Sequence, residues 1–322
     1  MRLSPQAPVL LLAHLGQMAL CQKKNTIVGL SIADRTERFR CEGRLLGVSE
    51  STRFFVVEQT PGTYLLLDAE TGTLLNPSDA LCNDLPFDAR YALYFVDKNA
   101  ERILLRFIDV TSQEPQKDVS IPLSRTTFTS LDNWMLCSPD KHIATAWSWA
   151  SDDVDGAYGS LYASDGTRVD TKPFAGLTVS RFHSVPPLYV SREHNLLATG
   201  TQNGFYLYQA TTGDPWSGKS AKLELPTFGG DVIAFCKQDK NRLAVNKDPV
   251  LQKDLPKQGA WIVRPRPDQA LCEILCDCSV SQPVTGLVFG EQGTSLYAIL
   301  ADHTFCEWNA STGEQLASTK LA

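Results

Sequence analysis

Val284 to Leu316 reads VTGLVFGEQGTSLYAILADHTFCEWNASTGEQL and contains, in one stretch, the pattern that organises the whole chain. An apolar run, Val284 to Phe289, ends in the polar turn Gly-Glu-Gln-Gly-Thr. A second apolar run reaches Leu300 and ends at Ala-Asp-His. A third, Thr304 to Trp308, enters Asn-Ala-Ser-Thr-Gly. Runs this short, bounded by Asp, Asn, Gly and Ser, are hairpin signals. The stretch therefore reads as strand, tight turn, strand, tight turn, and a last strand pair joined across Thr-Gly.

The last third of this pattern recurs. TYLLLDAETGTLL (Thr63 to Leu75) and FYLYQATTGDPW (Phe205 to Trp216) repeat it clearly; weaker copies are IVGLSIADRTERF, LLRFIDVTSQ, GSLYASDGTRV and AWIVRPRPDQALCEI, beginning at Ile27, Leu104, Gly159 and Ala260. Upstream of most copies lie two further apolar runs joined by a polar turn, as in WMLCSPDKHIATAW (Trp134 to Trp147) and LYVSREHNLLATGTQNG (Leu188 to Gly204). In Asp-Ala-Glu-Thr-Gly the Asp68 carboxylate is expected to cap the turn and Gly72 to adopt a backbone conformation costly for other residues. The copies recur at about 35 to 55 residues, the spacing of four-stranded propeller blades.

One small sheet cannot bury both of its faces, whereas sheets stacked around an axis bury them against each other. Helical periodicity over three or more turns is absent. The expectation is an all-β chain, a seven-bladed β-propeller of four-stranded antiparallel blades forming a single domain. The blades fall at approximately 1–43, 44–82, 83–124, 125–174, 175–226, 227–279 and 280–322.

Composition narrows the function. The 322 residues are 43% hydrophobic and 20% charged with a formal net charge of −6, and Lys and Arg are dispersed, which argues against a nucleic-acid ligand. No run approaches the roughly 18 apolar residues of a membrane span, so no membrane partner is expected. Met1 to Cys21 resembles a signal peptide only loosely, because His14, Gly16 and Gln17 interrupt its apolar run. The nine cysteines are odd in number and scattered, which fits reduced thiols and a cytoplasmic protein. Cys272, Cys276 and Cys278 sit at even spacing in LCEILCDC, which predicts all three on one face of a strand. Zinc needs four converging ligands and no matching second pair exists, so they read as small buried hydrophobes and no cofactor is expected.

Catalytic signatures are sparse. The five histidines are His14, His142, His183, His194 and His303. His142 and His194 fall in first-to-second strand turns and His303 in a second-to-third strand turn, so they do not converge as a triad or metal centre requires. There is no GxSxG and no phosphate-binding loop. The acidic stretch Ser151 to Gly156 lacks the ligand alternation of a calcium loop. Ala210 to Trp216 resembles the tryptophan docking motif of quinoprotein dehydrogenases, but only once.

SPDKHIATAW and LLATGTQNGFYLYQATTG resemble the WD-repeat family, and the resemblance extends over essentially the whole chain. The diagnostic dipeptide is best kept in Glu307-Trp308-Asn309. Leu67-Asp68 and Ile108-Asp109 keep only the acidic residue, and the family's Gly-His pair is missing, so stability is expected from packing rather than from the family's internal hydrogen-bond network. The resemblance implies a non-catalytic scaffold or ligand-sensing module, binding a protein or peptide across the rim formed by second-to-third strand turns and blade-linking loops. On this chain that rim carries Trp147, Trp149, Asp152, Asp153, Tyr158, Asn203, Lys247, Asp302 and His303, with Arg181 and Phe182 from a linking loop. Lys247 belongs to a stretch, Asn246 to Gly259, that is longer than a hairpin needs. The alternatives are a propeller enzyme, a hydrolase or lactonase with a channel metal, and a module of a larger multidomain protein.

Overall fold

The computed structural model describes residues 10–48, 53–60, 62–75, 91–98, 102–109, 114–122, 128–136, 143–150, 155–163, 167–169, 174–177, 188–191, 193–201, 204–217, 221–225, 229–247, 258–266 and 268–321. Among these residues every α-helical or strand element is a strand, and the sheets are built from antiparallel neighbours in chain order. The chain divides into two compact units, Pro5–Arg125 and one that takes in Thr126–Ala322.

The first unit contains three sheets. β1 (Leu10–Ala13), β2 (Met18–Lys23), β3 (Thr26–Ser31) and β4 (Glu37–Glu42) form the first. The second is β5 (Arg44–Val48), β6 (Phe54–Thr60) and β7 (Thr63–Asp68), extended by a Leu67–Leu74 bridge; the third is β8 (Tyr91–Lys98), β9 (Arg102–Asp109) and β10 (Glu114–Pro122). Leu20, Ile27, Phe55 and Val57 pack between the first two sheets, with Phe39 stacked on Phe55 at 5.6 Å. A buried amide fastens the same pair. Gln22 accepts from the Leu45 amide at 2.9 Å and donates to the carbonyls of Lys24 (2.9 Å) and Gly43 (3.3 Å), so its polar ends are satisfied away from water.

In the second unit, β11 (Phe128–Leu136), β12 (Ile143–Ala150), β13 (Asp155–Tyr162) and β14 (Phe174–Leu177) form one meander. β15 (Leu188–Ser191), β16 (Leu196–Thr201), β17 (Gly204–Gln209) and β18 (Lys222–Glu224) form the next. It joins β19 (Gly229–Phe235), β20 (Leu243–Lys247), β21 (Gln258–Arg266) and β22 (Leu271–Val280) through a single parallel pairing, Glu224 with Leu271. β23 (Val284–Phe289), β24 (Ser295–Leu300), β25 (Thr304–Asn309) and β26 (Gln315–Lys320) close the chain.

The β19–β22 sheet is buried on both faces. Leu243, Val245, Trp261 and Val263 pack with Leu207 and Leu223 of the preceding sheet, while Ala244, Ala260 and Ile262 pack with Leu287, Leu296 and Trp308 of the following one. A strand covered on both sides carries apolar residues at successive positions, which is why LAVNK and AWIV show no polar alternation. Trp308 is fully buried, and its indole Nε1 has no hydrogen-bond partner among the described residues. It therefore contributes through packing alone, with a core side chain of its class worth about 1.5–3 kcal/mol on burial.

The structure corrects the cysteine reading in one respect. Cys276 and Cys278 pair with Ile262 and Ala260 and face the following sheet, but between the Ile262–Cys276 and Val263–Ile274 pairs the register slips at Leu275. This bulge inserts one extra residue and reverses the alternation beyond it. Cys272 consequently pairs with Pro265 and lies on the opposite face, against Trp261 and Val263.

Candidate interaction surface

The sheets have two kinds of end, and one is occupied by its own hydrogen bonds. The turns Asp68–Gly72, Gln209–Gly213 and Asn309–Gly313 share one geometry. The glycine amide donates to the carbonyl of the first residue at 2.8, 2.9 and 2.8 Å, and that residue's amide donates back across the turn to Thr73, Asp214 or Glu314 at 2.8 Å. The side chain of the first residue caps where it can: Asp68 Oδ1 accepts from the Glu70 (3.0 Å) and Thr71 (2.8 Å) amides, and Asn309 Oδ1 from Ser311 (2.8 Å) and Thr312 (3.2 Å). Gly313 has φ +74°, and a Cβ there would lie 2.2 Å from the Asp277 carbonyl oxygen, so this position needs glycine for both strain and space. The second residue of each turn is a buried alanine whose amide donates to a first-to-second strand turn: Ala69 to Arg53 (2.8 Å), Ala210 to Asn195 (2.9 Å), Ala310 to Thr294 (2.8 Å).

Side chains then staple neighbouring sheets at this end. Arg242, leaving the β19–β20 turn, donates to the Gly293 carbonyl at 3.0 Å and to the Ala310 carbonyl, and lies 5.6 Å from the centre of the Phe289 ring. Gln238 donates to the Glu291 carbonyl at 2.8 Å, and His194 Nε2 is 2.9 Å from the Cys236 carbonyl. His194 does occupy the β15–β16 turn and His303 the β24–β25 turn, whereas His142 and His183 lie outside the described residues.

The other end of these sheets carries Lys247, Asp302 and His303. Lys247 is the last residue of β20, and its side chain is 7% exposed. Its ammonium donates to Asp277 Oδ1 at 2.6 Å and Ser279 Oγ at 3.1 Å, and stands 5.6 Å from the Trp261 ring centre. Trp261 Nε1 donates to Asp277 Oδ2 at 3.2 Å, and Ser279 Oγ donates to Oδ1 at 2.6 Å. Partial burial draws the Asp277 carboxyl upward, but hydrogen bonds from Lys247 and Ser279 and the ammonium charge outweigh it and hold the carboxyl below the usual carboxylate range. Gly259 sits across from Lys247 with φ +137°; a Cβ there would meet the Cys278 carbonyl oxygen at 2.0 Å, so glycine lets β22 approach closely enough to complete the cluster. Asp277, Ser279 and Trp261 were not among the expected site residues. The available signal was alternation: in CDCS, Asp277 stands between two buried cysteines and must face the other way.

Asp302 and His303 form the β24–β25 turn. Hydrogen bonds from Thr304, its amide 3.1 Å from Asp302 Oδ1, hold the Asp302 carboxyl below its ordinary range. His303 has φ +69°, donates its amide to Leu300 at 2.9 Å and accepts at its carbonyl from Leu321 at 2.8 Å. Trp147 pairs directly with Tyr158 across β12–β13, and Trp149, two residues on, pairs with Gly156; the register therefore places Trp147, Trp149 and Tyr158 on one face of that sheet. Asp152, Asp153, Arg181, Phe182 and Asn203 lie outside the described residues, as do 248–257 of the long loop that Lys247 begins.

No family model matches the chain, and no curated protein matches it. Solved structures do. A chain of the mitotic checkpoint complex is 11% identical, with a TM-score of 0.55 over 96% of this chain and 88% of that one. Sqt1 of Saccharomyces cerevisiae is 12% identical, with a TM-score of 0.51 over 97% and 84%. Both are WD40-type propeller proteins, and at this identity the likeness is one of fold. The chain is an all-β protein of antiparallel sheets with a WD40-like fold.

Proposed function

We propose that the chain is a single seven-bladed propeller, with blades at the boundaries given above, that acts as a non-catalytic interaction module in the cytoplasm and binds a protein or peptide partner. The rim formed by the second-to-third strand turns is the binding face. The observation that carries this reading is the shared face of Trp147, Trp149 and Tyr158 in the half of the β12–β13 pair nearest Ala150 and Asp155. Trp and Tyr are the residues most enriched among interface anchors. The opposite ends support the same choice, since their turn amides and carbonyls are engaged by Arg242, Gln238 and the Thr-Gly hydrogen bonds. The likeness in fold to WD40-type proteins fits a scaffold better than an enzyme.

The test is affinity capture with wild type, Trp149→Ala and the pair Asp152→Lys, Asp153→Lys, each checked for the wild-type circular dichroism spectrum. A partner captured by wild type and lost by folded variants is the expected result. If every captured protein is retained equally by all three, the rim assignment fails. Stoichiometric calcium or zinc in purified protein would instead favour a propeller hydrolase.

A further inference from the structure

The last strand of a meander offers a row of backbone amides and carbonyls to any strand that meets it, and proteins blunt such edges with charge, proline, bulges or shortness. β4, β10, β14, β18 and β22 are each protected in one of these ways. β4 reads Glu-Arg-Phe-Arg-Cys-Glu, with Arg40 paired to Glu37 and Arg38 to Asp34. β10 carries two prolines and a register slip, and its Asp118 pairs with Arg106. β14 spans only four residues and is interrupted by a slip; β18 spans three, with Lys222 paired to Glu224. β22 is bulged, its Glu273 pairs with Arg264 and Arg266, and its Leu271 end is taken up by β18.

β26, Gln-Leu-Ala-Ser-Thr-Lys, differs from all of these. It contains no proline, and its one charge is its last residue. Its register slip falls near its start, and Ala317 to Lys320 run in register with Glu307 to Thr304. The Leu321 amide donates to the His303 carbonyl at 2.8 Å, and along an antiparallel pair such inward groups alternate with outward ones. The backbone groups of Leu316, Ser318 and Lys320 therefore point away from β25, where no described strand meets them. All three residues are exposed. Glu314 precedes the strand and Lys320 ends it; among the described residues neither closes a salt bridge, although the charge of Lys320 is felt at Asp302. Set antiparallel to itself about Ala317, the segment Glu-Gln-Leu-Ala-Ser-Thr-Lys is nearly self-complementary. Lys320 of one copy stands opposite Glu314 of a second, Ser318 opposite Leu316, and the small Ala317 opposite itself. Opposite charges directly across an antiparallel pair stabilise it.

We propose that β26 pairs with β26 of a second copy of this chain, antiparallel and across a twofold axis at Ala317, to make a homodimer with one continuous sheet. Such a contact uses the same patch on both copies, so each backbone bond of Ser318 and each Lys320–Glu314 pair occurs twice. Two edge strands bury less than the roughly 1,600 Å² of a standard interface, so the dimer is weak and forms in the micromolar range or above. It uses a strand edge rather than the turns of the proposed binding rim, and it stands or falls independently of that reading.

Sedimentation velocity of the full, reduced chain, from the micromolar to the millimolar range, is the test. Wild type is expected to pass from monomer to dimer. Ser318→Pro removes an amide directed away from β25, where edge strands tolerate proline, and should stay monomeric with the wild-type circular dichroism spectrum. Lys320→Glu and Glu314→Lys should each weaken the dimer about tenfold, because both symmetric pairs become repulsive. An equimolar mixture of these two variants should recover association as a heterodimer, and the double reversal should recover it as a homodimer. If Ser318→Pro does not fold, the two exposed charge variants decide alone. Wild type that stays monomeric throughout, which would leave the edge to a strand of another protein, overturns the proposal. So does a dimer that the charge reversals leave intact, or a mixture that fails to associate.

Discussion

The β19–β22 and β23–β26 sheets share one apolar cluster but are held together differently. In β23–β26 the strands are short, the turns tight, and the centre is an indole, Trp308, whose nitrogen has no hydrogen-bond partner among the described residues. In β19–β22 the outer strand is bulged, and an indole at a comparable depth, Trp261, donates to a carboxylate that also receives an ammonium. At its centre β23–β26 depends on shape, its polar staples from Arg242 and Gln238 lying at the turn end. The second combines shape with a charge pair that fixes where β20, β21 and β22 end relative to one another.

Substitutions can break this contrast, and they should do so unequally. Trp308→Ala should cost the most, about 3–5 kcal/mol as for other buried aromatic truncations, read as a lowered urea midpoint. Asp277→Ala leaves the Lys247 ammonium buried without its carboxylate and should cost about 1.5–3 kcal/mol, measured the same way. Adding Lys247→Met should recover part of that loss, because removing both partners is cheaper than removing one. Gly313→Ala should cost at least about 1–2 kcal/mol from its left-handed backbone, with the clash against the Asp277 carbonyl adding to it and the thermal midpoint as readout. Asn309→Ala removes only a turn cap and should cost about 0.5–1.5 kcal/mol.

Acid sharpens the same comparison. The folded Asp277 carboxyl is held below its unfolded value, so its contribution to stability is complete above about pH 3.9 and is lost as pH falls through the depressed folded value. With the side chain 53% exposed, the increment is small. Urea midpoints of wild type and Asp277→Asn should converge as pH falls from 5 toward about 2; a constant separation would show that the charge of Asp277 contributes nothing.

The sequence made β23–β26 readable because its turns declare themselves: Gly290 to Thr294, Asp302-His303 and Asn309 to Gly313 each carry residues whose chemistry marks a reversal. The Asp68 cap and the positive φ of Gly72 were legible for the same reason. The bulge at Leu275 was not, since a slipped register leaves composition untouched and only the partner strand reveals it. The Lys247 site was half legible. Lys247 stands out through the stretch that it begins, but its partners Asp277 and Ser279 lie on the face of β22 that the cysteine reading does not address. The family resemblance places Trp147, Trp149 and Tyr158 together on the rim; the register adds that Tyr158 stands directly across from Trp147.

A sheet covered on both sides, as β19–β22 is, has nowhere to hide a change in volume. An added methyl group on β20 displaces two neighbours at once, so drift in that region is channelled to the hairpin tips and the outermost strand, where the register slip and the longest connection already lie. Its middle strands should be the most constrained in composition and the slowest to exchange their amide hydrogens, whatever partner the molecule serves.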